Sequence, residues 1–183
     1  QLTNDLRNLD TFNWGYDPHH FNAPEGSYAS SAEGVERIVE MRAMIQALHE
    51  MGLRVALDVV YNHTNASGVF SKSVLDKAVP GYYHRYEVDT GAIVRETCCD
   101  DTEPRNVMME KFMKDSLLMW TEHYKYDSFR FDIMSQATKD TMVRLRDAVH
   151  SIDEDNYFYG EGWTKIDRGY EQASQLNMAG TEI

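Results

Sequence analysis

Positive charge is scarce in this sequence. Against 30 Asp and Glu stand 18 Lys and Arg, a formal net charge of −12. Nucleic acid and anionic membranes both require a basic face, so neither is an expected partner. A neutral or cationic partner agrees with the charge. No run of ~18 apolar residues occurs, and no membrane span is expected. The chain starts at Gln1 without the basic stretch and apolar core of a signal peptide, and something upstream is expected to be missing. Cysteine is confined to the adjacent pair Cys98 and Cys99. Neighbouring Cα atoms lie ~3.8 Å apart, below the ~4.4–6.8 Å usual for a disulfide. Two free thiols are therefore the first expectation and a vicinal disulfide the second. CxxC, spaced Cys/His sets and HExxH are all lacking, so no metal ligand is assigned. His19 and His20 read as a solvated turn.

What is present looks like an ordinary soluble globular chain. It has 183 residues, 42% hydrophobic and 26% charged, and by length it is one domain or a piece of one. Residues 1–31 are irregular, punctuated by Asn13, Gly15, Pro18, Pro24 and Gly26. Ser31 is placed to cap a helix whose inner face carries Val35, Ile38, Val39, Ile45 and Leu48, with Gly52 ending it. Residues 54–61 (RVALDVVY) read as a strand buried on both faces. A long stretch follows over 64–104, with room for a small hairpin between Tyr82 and Val94. A loop of that length in a compact domain is usually functional if ordered. A second helix is expected over 106–124, with Val107, Phe112, Met113, Leu117 and Trp120 inward. A strand over 128–133 comes next. Thr138 then caps a helix burying Met142, Leu145 and Val149, and a strand over 157–160 follows. The tail is polar, with one short helix near 170–175. This strand–helix alternation is that of βαβ crossovers and a parallel sheet. No fixed-period repeat or linker divides the chain.

The chemistry falls at the strand ends. The first strand runs out through Asp58, Asn62 and His63, the second through Arg130 and Asp132, and the third through Glu161 and Trp163. In parallel α/β folds the C-terminal strand ends face the active site. An unpaired buried carboxylate is costly, so three successive strand ends carrying acids point to a site. Two carboxylates on adjacent strands, ~4.8 Å apart, suit glycosidic cleavage, where retaining enzymes hold them ~5–5.5 Å apart. Arg130 shares a strand face with Asp132 and would keep it ionised as a nucleophile. The Trp163 indole beside Glu161 would favour the protonated acid. Metal-assisted hydrolysis and aldol-type chemistry remain open on spacing alone.

These residues resemble a known family. DVVYNH (58–63), FRFD (129–132) and GEGW (160–163) are similar, in order, to three signature regions of the α-amylase superfamily of glycoside hydrolases. FNWGYDP (12–18) and FNAPEGSYAS (21–30) resemble the region that marks the pullulanases, its α-1,6 debranching members. TCCDD and the final GTEI resemble secreted Gram-negative bacterial pullulanases, and the likeness covers essentially the whole chain. The resemblance implies a partial (β/α)8 TIM barrel, incomplete at both ends and covering roughly the second to fifth strands. A long loop would follow the strand ending at His63. It implies retaining cleavage of α-1,6 links in pullulan and branched α-glucans, outside the cytoplasm. An isoamylase-like or limit-dextrinase-like specificity is a neighbouring alternative, and a non-catalytic α-glucan-binding relative a more distant one. By motif match, Asp132 is the nucleophile, Glu161 the general acid and base, and Arg130 the residue orienting the nucleophile. Asp58 and His63 contact or support the sugar, and Tyr16 stacks on it. Trp163 and Trp14 are weaker sugar platforms. No cofactor is required; calcium accompanies the superfamily, but no DxDxDG loop occurs and no ligands are assigned. A third aspartate, on the seventh strand, would lie outside this chain, and the piece alone is expected to be inactive. Two departures stand out. Ser128 replaces the usual glycine before FRFD. After FRFD, where the family usually has Leu-Met-Gly and a histidine before the lysine, Ile133-Met134-Ser135-Gln136-Ala137-Thr138 precedes Lys139.

Overall fold

The computed structural model describes residues 14–163 and 167–183. Phe12 and Asn13 of the FNWGYDP run lie outside the described residues. Helix α1 (Glu36–Glu50) leads into strand β1 (Ala56–Val59). A two-residue strand β2 (His63–Thr64), a short helix α2 (Leu75–Ala78) and a second two-residue strand β3 (Asp100–Asp101) occupy the long loop. Helix α3 (Val107–Met119) ends in a π-helical turn, Trp120–Tyr124. Strand β4 (Ser128–Phe131), helix α4 (Lys139–His150) and strand β5 (Tyr157–Gly160) complete the order.

The fold is α/β with a small parallel sheet. Its strand order is β1-β4-β5, in the register Asp58–Arg130–Tyr159 and Val59–Phe131–Gly160. The ladder continues past the strand ends: Asp132 N donates to Val59 O and Glu161 N to Phe131 O, each at 3.0 Å. Period-two alternation gives the sheet two unlike faces. Phe129, Phe131, Phe158 and Val59 point into the core against Met113 and Leu117 of α3 and Met142, Leu145 and Val149 of α4. Each fully buried side chain of this size contributes roughly 1.5–3 kcal/mol. Asp58, Arg130, Tyr157 and Tyr159 occupy the other face, where Tyr157 and Tyr159 stack and stay partly exposed.

Several local expectations are corrected. The strand over 54–61 is not buried on both faces, because Ala56 and Asp58 are exposed on the polar side of the sheet. Ser31 does not cap α1, whose N-cap is Val35 without a side-chain bond; Ser31 Oγ instead accepts from Glu33 N. Of the five residues assigned to the inner face of α1, Ile45 alone is buried, and Val35 and Val39 are exposed. In α3, Val107 is exposed and Met109 takes the inner position, four residues before Met113. Residues 170–175 form no helix; Gln172 bridges to Thr138 and Ala173 N donates to Ala137 O. The Thr138 cap does form, its hydroxyl accepting from Thr141 N at 3.0 Å.

Buried acids hold the long loop together. Asp76 accepts from Gly68 N at 2.6 Å, Gly81 N at 3.2 Å and Tyr86 OH at 3.0 Å, with His84 Nδ1 at 3.2 Å. Burial pushes its pKa up, but the Gly68 bond and His84 outweigh this and leave it below its ordinary value. Asp101, fully buried, accepts from Glu96 N, Thr97 N and Thr97 Oγ1. The small hairpin survives as the Tyr86–Ile93 bridge, backed by Val94 N donating to Arg85 O. Glu103 pairs with Arg85 and Arg105, and Arg85 reaches Gln136 Oε1 at 2.9 Å, tying the loop to the segment after β4. The cysteines are not free thiols: Cys98 and Cys99 form a vicinal disulfide at a Cα–Cα distance of 3.8 Å.

Candidate active site

Arg130 organises the C-terminal end of the sheet. Its guanidinium donates to Asp58 Oδ1 at 2.8 Å, Asp132 Oδ1 at 3.3 Å and Glu161 Oε1 at 2.5 Å. One cation thus faces carboxylates from three neighbouring strands. A planar fork with five donors can do this, whereas a point charge cannot. Burial works against the Arg130 charge, but the hydrogen bond and charge of Asp58, with the charge of Glu161, hold its pKa above the ordinary value.

Each carboxylate has further partners. Asn62 Nδ2 donates to both Asp132 O and Asp132 Oδ2 at 2.8 Å. Glu161 Oε2 accepts from Ile133 N at 3.2 Å and from Trp163 Nε1 at 3.4 Å. The indole therefore offers its N–H to Glu161, not the apolar face expected from sequence. Ile133 sits at φ 39, which is rare for a β-branched residue and costs ~1–3 kcal/mol. That strained turn aims its N–H at Glu161. Glycines flank Glu161 because nothing larger fits. A Cβ at Gly160 would lie 2.7 Å from Phe131 O, and one at Gly162 would lie 2.5 Å from Gln175 N.

The remaining residues close the ring. Tyr16 OH donates to Asp58 Oδ2 at 2.6 Å, and the Arg130 guanidinium lies 5.8 Å from the Tyr16 ring centroid. That bond to a carboxylate is the main cause of the raised Tyr16 pKa. His63 is buried, with Nε2 donating to Tyr16 O at 2.7 Å and Nδ1 against Asn62 Oδ1. Trp163 is half exposed, its carbonyl accepting from Ser135 Oγ at 2.6 Å. Trp14 is 79% exposed. Tyr16, Asp58, His63, Arg130, Asp132, Glu161 and Trp163 thus join one hydrogen-bonded network. Asn62 was not singled out among the site residues, yet it links His63 to Asp132. Its place in the run after β1 was the available signal.

Among the described residues, the one cluster of three or more His, Cys, Asp or Glu donors close enough for a single ion is His63, Cys98 and Cys99. Calcium takes six to eight oxygens, so this donor set does not fit it. No described helix is long and apolar enough to cross a membrane.

No family model matches the chain. It is 48% identical over 178 residues to a pullulanase of Klebsiella pneumoniae, covering 95% of this chain and 16% of that protein. It is 45% identical to the chloroplastic pullulanase 1 of Arabidopsis thaliana, covering 98% of this chain and 20% of that protein. The crystal structure of a maltotriose complex of PulA from Klebsiella pneumoniae superposes with a TM-score of 0.92 at 47% identity, covering 95% of this chain and 19% of that one. The chain therefore spans about a fifth or less of the length of these relatives.

Proposed function

We propose that this chain, a homologue of one short stretch of the pullulanases, carries the nucleophile and the acid–base of a retaining glycoside hydrolase that cleaves α-1,6 links in pullulan and branched α-glucans. The observation that carries this reading is the single guanidinium of Arg130 bonded to both Asp132 and Glu161 at adjacent strand ends. Two carboxyls close enough to share one side chain suit the ~5–5.5 Å retaining geometry. Asp132 attacks the anomeric carbon while Glu161, in its protonated form, gives its proton to the departing glycosidic oxygen. Glu161 then takes a proton from water, which attacks the glycosyl–Asp132 ester and restores the original configuration. Asn62 and Arg130 fix the Asp132 carboxylate for attack. Tyr16, held by Asp58 and by His63, offers a ring for the sugar's C–H face, and Trp163 offers a second at the rim. The two-carboxylate scheme requires no cofactor, and no calcium ligands are assigned.

The same proposal extends to architecture. Parallel sheets are covered on both faces, and here the face bearing Asp58, Arg130 and Tyr159 is partly open. β1, β4 and β5 are read as neighbouring strands of a (β/α)8 barrel whose remaining strands enclose that face. The likeness of TCCDD and GTEI to secreted bacterial pullulanases supports a location of the whole enzyme outside the cytoplasm. The test is release of reducing ends from pullulan by the full-length enzyme and by Asp132→Asn and Glu161→Gln. Turnover should fall by several orders of magnitude in both variants, and the product of the native enzyme should keep the α-configuration. Inversion of configuration, or native-like turnover in Asp132→Asn, would refute the assignment.

A further inference from the structure

The vicinal cysteines meet the site from 35 residues away along the chain. Cys98 Sγ lies 3.4 Å from His63 Nε2. The donor atoms of His63, Cys98 and Cys99 all fall within 4.8 Å of one another. The turn is held from behind by the buried Asp101, which accepts from the main chain of Glu96 and Thr97. Cys98 lines two cavities, of about 240 and 430 Å³, and is itself exposed. With Zn–S of ~2.3 Å and Zn–N of ~2.0 Å, two donors on one tetrahedral ion sit roughly 3.5 Å apart. The Cys98–His63 separation already has that value.

We propose that two-electron reduction of the Cys98–Cys99 bond converts this corner into a site for a soft divalent cation such as Zn2+, held by His63 Nε2, Cys98 Sγ and Cys99 Sγ. A phosphine can supply the electron pair. The S–S bond breaks, each sulfur ends with a proton taken from one water, and the water oxygen ends on phosphorus as the phosphine oxide. The cation then displaces both thiol protons into solvent. Asp17 Oδ1, 4.0 Å from Cys99 Sγ, is within reach as a fourth ligand. Thiolate and imidazole donors select zinc-like ions over calcium or magnesium. Binding at Nε2 displaces the His63 bond to Tyr16 O, so the ion loosens the aromatic that contacts Asp58.

The test is anaerobic titration of the phosphine-reduced full-length protein with Co2+, followed by Zn2+. One Co2+ should bind with a thiolate-to-cobalt charge-transfer band that Zn2+ bleaches. The band should be missing from the oxidised protein and from Cys98→Ser/Cys99→Ser. His63→Ala should bind about tenfold more weakly or worse, a missing ligand costing at least as much as a missing outer partner. Single Cys98→Ser and Cys99→Ser variants, each keeping one thiol, should weaken the band even where the double variant folds poorly. An unchanged band in the cysteine variants, or none in the reduced protein, would overturn the site. This readout is independent of any hydrolase activity. Zn2+ should also suppress turnover of the reduced protein alone; binding without suppression would overturn the coupling through Tyr16.

Discussion

Replacing Arg130 by lysine tests whether one planar cation holds the site together. The guanidinium spans Asp58, Asp132 and Glu161 at 2.8, 3.3 and 2.5 Å. A lysine ammonium keeps the charge but has one nitrogen, so at most one of these contacts survives in good geometry. Hydrogen bonds to charged groups are worth roughly 1.5–3 kcal/mol each. Asp58 is the most solvated of the three, its side chain 42% exposed against 13% for Asp132 and 34% for Glu161. Its contact is discounted for screening. The two that remain, also partly screened, amount to about 3 kcal/mol of positioning energy, which corresponds to a fall of about 100-fold in kcat/KM. The assay is steady-state hydrolysis of pullulan by the full-length enzyme, with thermal unfolding measured alongside. The loss should appear mainly in kcat, because Arg130 acts on the carboxylates and not on the sugar. Combining Arg130→Lys with Asp58→Asn should be less damaging than the product of the two single effects, since they share a contact. A well-folded Arg130→Lys enzyme within about fivefold of native kcat/KM would refute the reasoning.

Asn62→Ala removes two donors from Asp132 and should lower kcat about tenfold, while Asn62→Asp sets a carboxylate against a carboxylate and should cost more; equal losses would mean the amide does not act. Glu103 lies low, at about 2 against 4.5, because the hydrogen bond of Arg105 and the charge of Arg85 outweigh the opposing effect of burial. That gap corresponds to ~3 kcal/mol, reduced to ~2 by screening around the half-exposed Arg105. Since the folded value is depressed, the stability is present above pH ~4.5 and fades as the pH falls towards 2. Glu103→Gln should therefore destabilise the full-length protein to urea at pH 7 and by less at pH 3, and an equal deficit at both would contradict it. Met109→Ala should cost ~2–5 kcal/mol in unfolding free energy, whereas Val107→Ala, at a 76% exposed position, should stay within ~0.5 kcal/mol; the reverse order would mean that α3 presents its other face.

The parts of the fold that were legible are those with short-range causes. β4 (SFRF) and β5 (YFYG) are short runs that alternate core aromatics with other residues, and α4 repeats Met142, Leu145 and Val149 at helical spacing behind a threonine cap. The same logic misplaced Val107, because a helix surface shows several stripes at once and only tertiary packing chooses among them. Met109, Met113 and Leu117, spaced by four, won. Asp58 misled the burial of β1 in the opposite sense. The valine-rich run 54–61 reads as buried on both faces, but Asp58 within it marks the polar face of the sheet. Its neighbours in register are Arg130 and Tyr159.

The site divides along the same line. Asp132 and Glu161 were visible because strand ends are linear features and parallel register carries them to one edge. Asn62 lies at the end of the first strand's run, but its role was not legible there, since an amide's value depends on which oxygens meet it. The Cys98–Cys99 turn was further from sight. It reaches His63 through hydrogen bonds accepted by Asp101, with the rest of the long loop gathered on Asp76. In a chain with 30 acidic residues, composition cannot tell a solvated carboxylate from one that gathers a loop. The charge of −12 therefore has three physical parts. One is a solvated surface. Another is a pair of buried hubs that fold the loop. The third is a cluster of three carboxylates around one arginine at the C-terminal end of the sheet.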